Sequence, residues 1–272
     1  MPDNTQRFTG RAQDYDRYRQ RYPTEEVLTR LQDWCGLTPD WLVADIGAGT
    51  GMLAEVFLAN GNRVLAVEPN ADMREPMRNA VEQHLGYPTP QLEIIDATAE
   101  ATTLPAASVD MVAAGRAFHW FDRERALAEF RRILKPNGWV ALIAADRDRD
   151  SKDPTYRPQI DAYESLMAAH GIDYTRVVRS GYRSHDTMDD FLDGELHQAQ
   201  VPGVRQLDWP TFRGHTMSLS VSPGSDHPGH EAFQRELRRH FETYAVEGVL
   251  TIPTTCWITA ARFAATQSAE GA

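Results

Sequence analysis

The residues with the clearest capacity for chemistry lie in one short span. Leu42-Val43-Ala44-Asp45-Ile46 reads as a buried strand that breaks into Gly47-Ala48-Gly49-Thr50-Gly51, and an apolar-periodic segment follows. Alternating glycines let the backbone turn tightly and admit a ligand close to the main chain, and the next helix would aim its unpaired N–H groups at the same spot. Asp45 is the odd residue in that strand. Its carboxylate is costly to bury unless it accepts hydrogen bonds from the loop amides or faces a cationic ligand. Further on, Val64-Leu65-Ala66-Val67 reads as a second buried strand that stops at Glu68. An acid at that offset from the glycines can take both hydroxyls of a ribose. The two strands are expected to frame a nucleoside site.

A second group follows the strand read from Val109 to Ala114, where Arg116, His119 and Trp120 stand close together. Open α/β sheets place ligands at the carboxyl ends of their strands. An imidazole titrates near neutrality, so His119 is the candidate catalytic residue, able to deprotonate or orient an acceptor. The aromatic run Phe118 to Phe121 equally suits a structural part, seating the helix that follows. Trp120 and Arg213 join His119 as candidate substrate contacts, and Arg116, Arg213 and His119 have the chemistry for a carboxylate. His170, His185, His227 and His230 lack ligand spacing, so no metal site is expected.

The elements that must position these groups alternate in type. Thr24 is expected to cap a helix with Val27, Leu28, Leu31, Trp34 and Cys35 inward and Gly36 as its stop. Met52 to Asn60 and Ala71 to about Leu85 are read as helices, and Leu92 to Asp96 as a third strand. Asp122 caps a helix carrying Ala126, Leu127, Phe130, Ile133 and Leu134, and Lys135-Pro136-Asn137-Gly138 turns it into a fifth strand, Trp139 to Ala144. Strands alternating with helices imply a parallel sheet covered on both faces. At Asp146 the chain becomes charged and rich in breakers, which marks an insertion. Within it, Ile160 to His170, Met188 to Leu192, Trp209 to Ser218 and His230 to Tyr244 read as helical and Leu196 to Leu207 as a strand. Val249 to Arg262 is strand-like and is expected to return to the sheet edge, with a disordered tail from Ala265. The stretch before Pro23, with Tyr15, Arg17, Tyr18, Arg19, Arg21 and Tyr22, has no clean period; it reads either as an arm that folds over a ligand or as a solvated basic lead-in. The expected division is an arm and core over residues 1–145, an insertion walling the acceptor pocket over 146–247, and a last strand and tail over 248–272.

Composition sets the outer limits. With 272 residues and 42% hydrophobic side chains, the chain can bury one substantial core with decorations. A formal net charge of -11 argues against a nucleic-acid footprint or an anionic-membrane patch, because both need clustered Lys and Arg. Small-molecule partners are the default. No apolar run approaches the roughly 20 residues of a membrane span, and the first residues show no signal-peptide core, so a cytoplasmic protein is expected. Cys35 and Cys256 form neither a disulfide framework nor a metal knuckle and read as buried free thiols.

The glycine spacing separates two nucleotide-binding families. A dinucleotide-binding turn needs Gly-x-Gly-x-x-Gly, yet Met52 stands where its third glycine would fall. Asp45, the glycines at 47, 49 and 51, and Glu68 together resemble motifs I and II of class I S-adenosylmethionine-dependent methyltransferases. The resemblance continues through Ala99-Glu100, Leu104-Pro105, Ser108-Val109-Asp110, Ala117 to Phe121 and Leu134 to Gly138. That order is similar to a small-molecule subgroup that includes trans-aconitate methyltransferase. The subgroup's N-terminal Tyr-x-x-x-Arg-Pro-x-Tyr-Pro is matched by Tyr15, Arg19, Tyr22 and Pro23, with Gln20 in place of the proline. The resemblance implies a doubly wound, seven-stranded Rossmann-like sheet with a helical insertion in the C-terminal half. It implies S-adenosylmethionine as cofactor and S-adenosylhomocysteine as product. Carried over, Gly47, Ala48 and Gly49 line the methionine part, Glu68 takes the ribose, Pro69 and Asn70 one adenine face, and Thr98, Ala99 and Glu100 the adenine edge. Asp96 competes with Thr98 for the adenine amine. Asp45, Arg116, Tyr15 and Arg19 complete the expected cofactor contacts, the last two as an arm that closes over the site. Methyl transfer is an in-line displacement at a sulfonium, so alignment and exclusion of water can supply most of the acceleration. The rival reading is a protein that binds the cofactor as a sensor or scaffold without turnover.

Overall fold

The structure is a computed structural model that describes residues 12–175 and 194–263, with side chains from residue 14 onward. The segment read as a helix from Met188 to Leu192, His185 and the tail from Ala265 lie outside the described residues. The strands are β1 Leu42–Ile46, β2 Arg63–Val67, β3 Leu92–Ile95, β4 Val109–Gly115, β5 Leu134–Arg147, β6 Leu196–Leu207 and β7 Leu250–Ala261. Among the described residues the helices include α1 Ala12–Tyr18, α2 Thr24–Cys35, α3 Met52–Ala59, α4 Ala71–Leu85, α5 Arg123–Ile133, α6 Arg157–His170, α7 Trp209–Met217 and α8 His230–Tyr244, and Phe118–Trp120 forms a 3-10 turn. One seven-stranded sheet runs in the order β3-β2-β1-β4-β5-β7-β6. The pairings β3 with β2, β2 with β1, β1 with β4 and β4 with β5 are parallel. This is the α/β architecture that alternating strands and helices require.

Local chemistry explains where most elements stop. Gly36 ends α2 at φ 72 and Gly86 ends α4 at φ 78, the left-handed conformation that glycine adopts at little cost. Asp122 caps α5 by accepting from the Arg125 N–H at 3.3 Å, and Asn70 caps α4 by accepting from the Asp72 N–H at 2.9 Å. Thr24 does not cap α2; it is the helix's first residue, and Pro23 before it offers no side-chain bond. Pro23 has no N–H to satisfy and its fixed φ suits a helix start, so the boundary moves one residue upstream. The turn expected at 135–138 is a bulge inside β5: Val109 and Met111 of β4 face Leu134 and Trp139, and Asn137 takes φ 65.

The last strand is corrected in position. β7 was expected at the sheet edge, but it lies between β5 and β6, and β6 is the edge. Burial accounts for the difference. Nearly every residue of β7 is buried, as a strand covered on both faces must be, whereas β6 is mostly exposed or half-buried and carries Pro202 and Gly203.

The chain forms two compact units. One comprises the described residues 22–144, 194–200 and 257–263; the other comprises 12–21, 145–175 and 201–256. Each has an apolar core. In the first, Ile46, Val67, Val112, Phe118, Phe130 and Leu142 belong to one buried cluster. In the second, Tyr163, Met167, Phe212, Phe233, Leu237 and Ile252 do. Within the arm, Ala12–Tyr18 is helical and packs within the second unit: α1 meets α7 where the ring of Tyr18 lies on Gly214, so closely that an added Cβ would sit 2.5 Å from it. No helix among the described residues is long and apolar enough to cross a membrane. Cys35 and Cys256 are buried free thiols.

Candidate functional site

The β1–α3 loop is held by β2. Gly47 and Ala48 donate their N–H groups to the Val67 carbonyl at 2.8 and 3.1 Å, and Gly51 N–H closes on Ala48 at 2.9 Å. Gly47, Gly49 and Gly51 all have positive φ, at 68, 59 and 89. Their surroundings differ. A Cβ on Gly47 would lie 2.7 Å from Ala117 Cβ, and one on Gly51 would lie 2.5 Å from Val81 Cγ2, so packing alone forbids a side chain at either place. At Gly49 an added Cβ meets nothing within 4 Å. That backbone is open to a ligand.

Glu68, at the end of β2, is 8% exposed and grips the loop. Its Oε2 accepts from the Gly49 N–H at 2.8 Å and its Oε1 from the Asn70 N–H at 2.9 Å. Burial raises its carboxyl above the usual range, opposed by those two amides and by Arg74. A carboxylate has about four lone-pair positions, so each oxygen keeps capacity for one more donor. Arg74 fixes the neighbouring turn by donating to the Glu68 and Pro69 carbonyls, and its other Nη bonds Asp96 Oδ2 at 2.7 Å. Asp96 is thus ion-paired, and its side chain is 67% exposed.

Asp45 is fully buried. Neither carboxylate oxygen has a hydrogen-bond partner among the described residues. Burial pushes its carboxyl up to about 7; the Ala54 amide favours the charge without closing a bond of good geometry, and Glu68 opposes it. A buried acid in this state is suited to receive a cationic group.

The chain after β3 and after β4 carries the rest. Thr98 bridges to Ala101, Ala99 is buried, and Glu100 Oε1 accepts from the Asp122 N–H at 2.9 Å. Arg116 follows β4 with φ 54, a left-handed conformation uncommon for residues other than glycine and enriched at functional positions. It is buried, its Nε donates to the Tyr22 hydroxyl at 3.1 Å, its Nη2 lies 3.4 Å from Met52 Sδ, and its guanidinium sits 4.8 Å over the Tyr22 ring. His119 and Trp120 occupy the 3-10 turn, half-buried, with ring centroids 4.4 Å apart.

One unit therefore holds Asp45, Gly47, Ala48, Gly49, Glu68, Pro69, Thr98, Ala99, Glu100, Arg116, His119 and Trp120. Tyr15, Arg19 and Arg213 belong to the other. Arg19 is buried and stacks 5.0 Å over Tyr15, whereas Arg213 is exposed on α7 and bonds Gln234 at 2.8 Å. Sequence reasoning passed over three buried polar residues: Tyr22 as the partner of Arg116, and Arg147 and His215 in the second unit. Only His215 left a signal, three residues after the buried Phe212 on one face of α7. Among the described residues no cluster of His, Cys, Asp and Glu could hold a metal ion.

Comparison with known proteins bears on this unit most. Residues 44–142 match the family model described as a methyltransferase domain. An uncharacterised methyltransferase of Mycobacterium bovis is 36% identical over 134 residues, 49% of this chain and 50% of the relative. An S-adenosyl-L-methionine-dependent Diels-Alderase of Talaromyces variabilis is 26% identical over 193 residues, 69% of this chain and 63% of that protein. The first match thus spans about half the length of the relative. Among solved structures, a proposed type II methyltransferase from Anaeromyxobacter dehalogenans aligns over 90% of this chain and 98% of its own, with a TM-score of 0.64 and 25% identity. The fold is that of the Rossmann-like methyltransferases.

Proposed function

We propose that the chain transfers the methyl group of S-adenosylmethionine to a small-molecule acceptor. The observation that carries this reading is the joint state of Asp45, Glu68 and Gly49: a buried acid without a hydrogen-bond partner among the described residues, an acid with lone pairs to spare, and an open backbone between them. The cofactor fits each. Its ribose offers two hydroxyl donors to Glu68, its ammonium and sulfonium charges suit Asp45, and its methionine part needs the close approach that Gly49 permits. Pro69 and Asn70 would hold the adenine face and Thr98, Ala99 and Glu100 its edge, while Arg116 would take the amino-acid carboxylate. When bound, the cofactor supplies an electrophilic methyl group on sulfur. The residues' work is alignment and dryness, since the displacement itself needs no covalent help from the protein. His119 would orient the acceptor or receive its proton.

The match to the methyltransferase domain model supports the transfer, and the acidic net charge of -11 supports a small acceptor over nucleic acid. The runs Ala117 to Phe121 and Leu134 to Gly138 support the finer resemblance to the subgroup with trans-aconitate methyltransferase. A second reading keeps the cofactor and drops the methyl transfer; the similarity to a protein named for a cycloaddition favours carrying it. Release of S-adenosylhomocysteine from a mixed metabolite extract tests the choice. Cofactor-dependent release above the extract-free level is expected, and tight binding with no release would replace methyl transfer by the second reading.

A further inference from the structure

The second unit buries a separate polar cluster. Arg147, the last residue of β5, is 8% exposed, and its guanidinium lies 3.5 Å over the ring of Tyr163. Its Nε–H has no acceptor among the described residues. His215 on α7 is 2% exposed, and its Nδ1 lies 3.4 Å from Nη1 of Arg205. A guanidinium only donates, so Nδ1 is the acceptor and the neutral ring carries its proton on Nε2. That Nε2 is also without a partner among the described residues. Two buried donors of the cluster thus have no acceptor among the described residues.

The charges point the same way. Four guanidiniums, Arg19, Arg147, Arg149 and Arg205, act on His215 or on its neighbour Asp146. Burial works against the Asp146 charge, yet Arg19 and Arg149, together with the Arg147 backbone amide, outweigh it and hold the carboxyl well below the usual range. Burial, followed by Arg19, pulls His215 down to about 3 even though Asp146 opposes them, and Arg205 and Arg147 add to the effect. Among the described residues, Asp146 and Glu164, which accepts from the Tyr174 hydroxyl at 2.6 Å, are carboxylates that act on this cluster. Unmatched buried donors are costly, and one bound anion accepts from Arg147 Nε and His215 Nε2 together.

The surroundings narrow the anion. Tyr163, Phe212 and His240 form a ring cluster with centroids 5.6 to 5.9 Å apart. Burial, then Arg147, lowers His240 to about 4, which keeps that wall uncharged. A dry aromatic wall beside two donors suits a planar carboxylate on an aromatic body better than a strongly hydrated phosphate.

We propose that Arg147 and His215 form a carboxylate-recognition site for a small aromatic acid. That this acid is the methyl acceptor rests on the function proposed above; the site does not. The test uses the full chain, with benzoate as probe, benzamide as its neutral counterpart and inorganic phosphate as the hydrated anion. Benzoate is expected to raise the melting temperature of the parent and of the surface control Arg235→Gln by a few degrees, with no response to benzamide or phosphate. Arg147→Gln should abolish the shift. If that variant does not fold, Arg147→Lys retains the charge and removes the Nε–H, and it should weaken benzoate at least tenfold. No benzoate shift in the parent, an equal shift in the Arg147 variants, or an equal response to phosphate overturns the assignment. S-adenosylhomocysteine titration of the same samples separates the two proposals. Cofactor binding without a benzoate response removes this site alone, and a benzoate response without cofactor binding upholds it while removing the function above.

Discussion

In the glycine-loop site the carboxylate that holds the loop is matched largely by backbone, and Arg116 is a buried cation of the same unit. Glu68 is matched by the amides of Gly49 and Asn70, and the loop amides of Gly47 and Ala48 are matched in turn by Val67. In the Arg147–His215 cluster the buried charges are mostly guanidiniums, the contacts are side chain to side chain, and two donors lack acceptors. The first arrangement is preorganised by turns a few residues long, so it holds its shape without a ligand. The second is assembled from β5, β6 and α7 with Arg19 just after α1, and it leaves Arg147 Nε and His215 Nε2 without acceptors among the described residues. A site made of amides recognises a shape that many relatives share; a site made of side chains can change its ligand by one substitution.

The largest effect that would break this contrast belongs to the loop. Gly51→Val should destabilise the fold by about 3 kcal/mol or more, because its Cβ would overlap Val81 and its φ of 89 is strained for a branched residue. Gly49→Val, where the added Cβ meets nothing, should cost roughly 1 to 2 kcal/mol of backbone strain and still abolish cofactor binding. Urea unfolding paired with cofactor titration reads both. Similar destabilisation at the two positions would mean that Gly49 is a packing glycine like its neighbours.

Asp45 gives the next effect, and its sign is definite. Its folded value of about 7 lies above the ordinary carboxylate value, so the native state keeps a proton that the unfolded chain has shed between about pH 4 and 7. Its contribution is fully present below about pH 4 and is lost as pH rises through about 7, on the order of a few kcal/mol. Cofactor-free protein should therefore be less stable at pH 8 than at pH 5 on this account, and Asp45→Asn should flatten the slope. An unchanged slope in the variant would move the titration elsewhere. Binding a cationic ligand should favour the ionised acid and release a proton near pH 6, detectable as a buffer-dependent heat.

His119→Ala gives the smallest expected change, roughly tenfold or more in turnover of the true acceptor with cofactor affinity unmoved. Equal turnover would return His119 to seating α5.

The same contrast explains what the sequence could tell. Asp45, Gly49 and Glu68 were legible because a strand, a tight turn and a second strand fix them within about two dozen residues, and each residue type answers to a backbone constraint. The elements from β1 to α5 follow from period and capping for the same reason. The strand order failed at β7 because apolar periodicity reports burial on two faces but not which neighbour provides it. Tyr22 was passed over because its contact with Arg116 joins residues 94 apart in the chain, and no local spacing encodes that meeting.

The central claim is that β1, the glycine loop and Glu68 form an S-adenosylmethionine site. Calorimetric titration of the parent and of Glu68→Ala with S-adenosylhomocysteine, and of the parent with NADH, tests it most directly. The parent should bind S-adenosylhomocysteine and not NADH, and Glu68→Ala should weaken binding by about 2 to 3 kcal/mol while remaining folded, since two charge-assisted bonds to the ribose are lost. Binding of NADH in place of S-adenosylhomocysteine, or an unchanged Kd in the folded Glu68 variant, would contradict it.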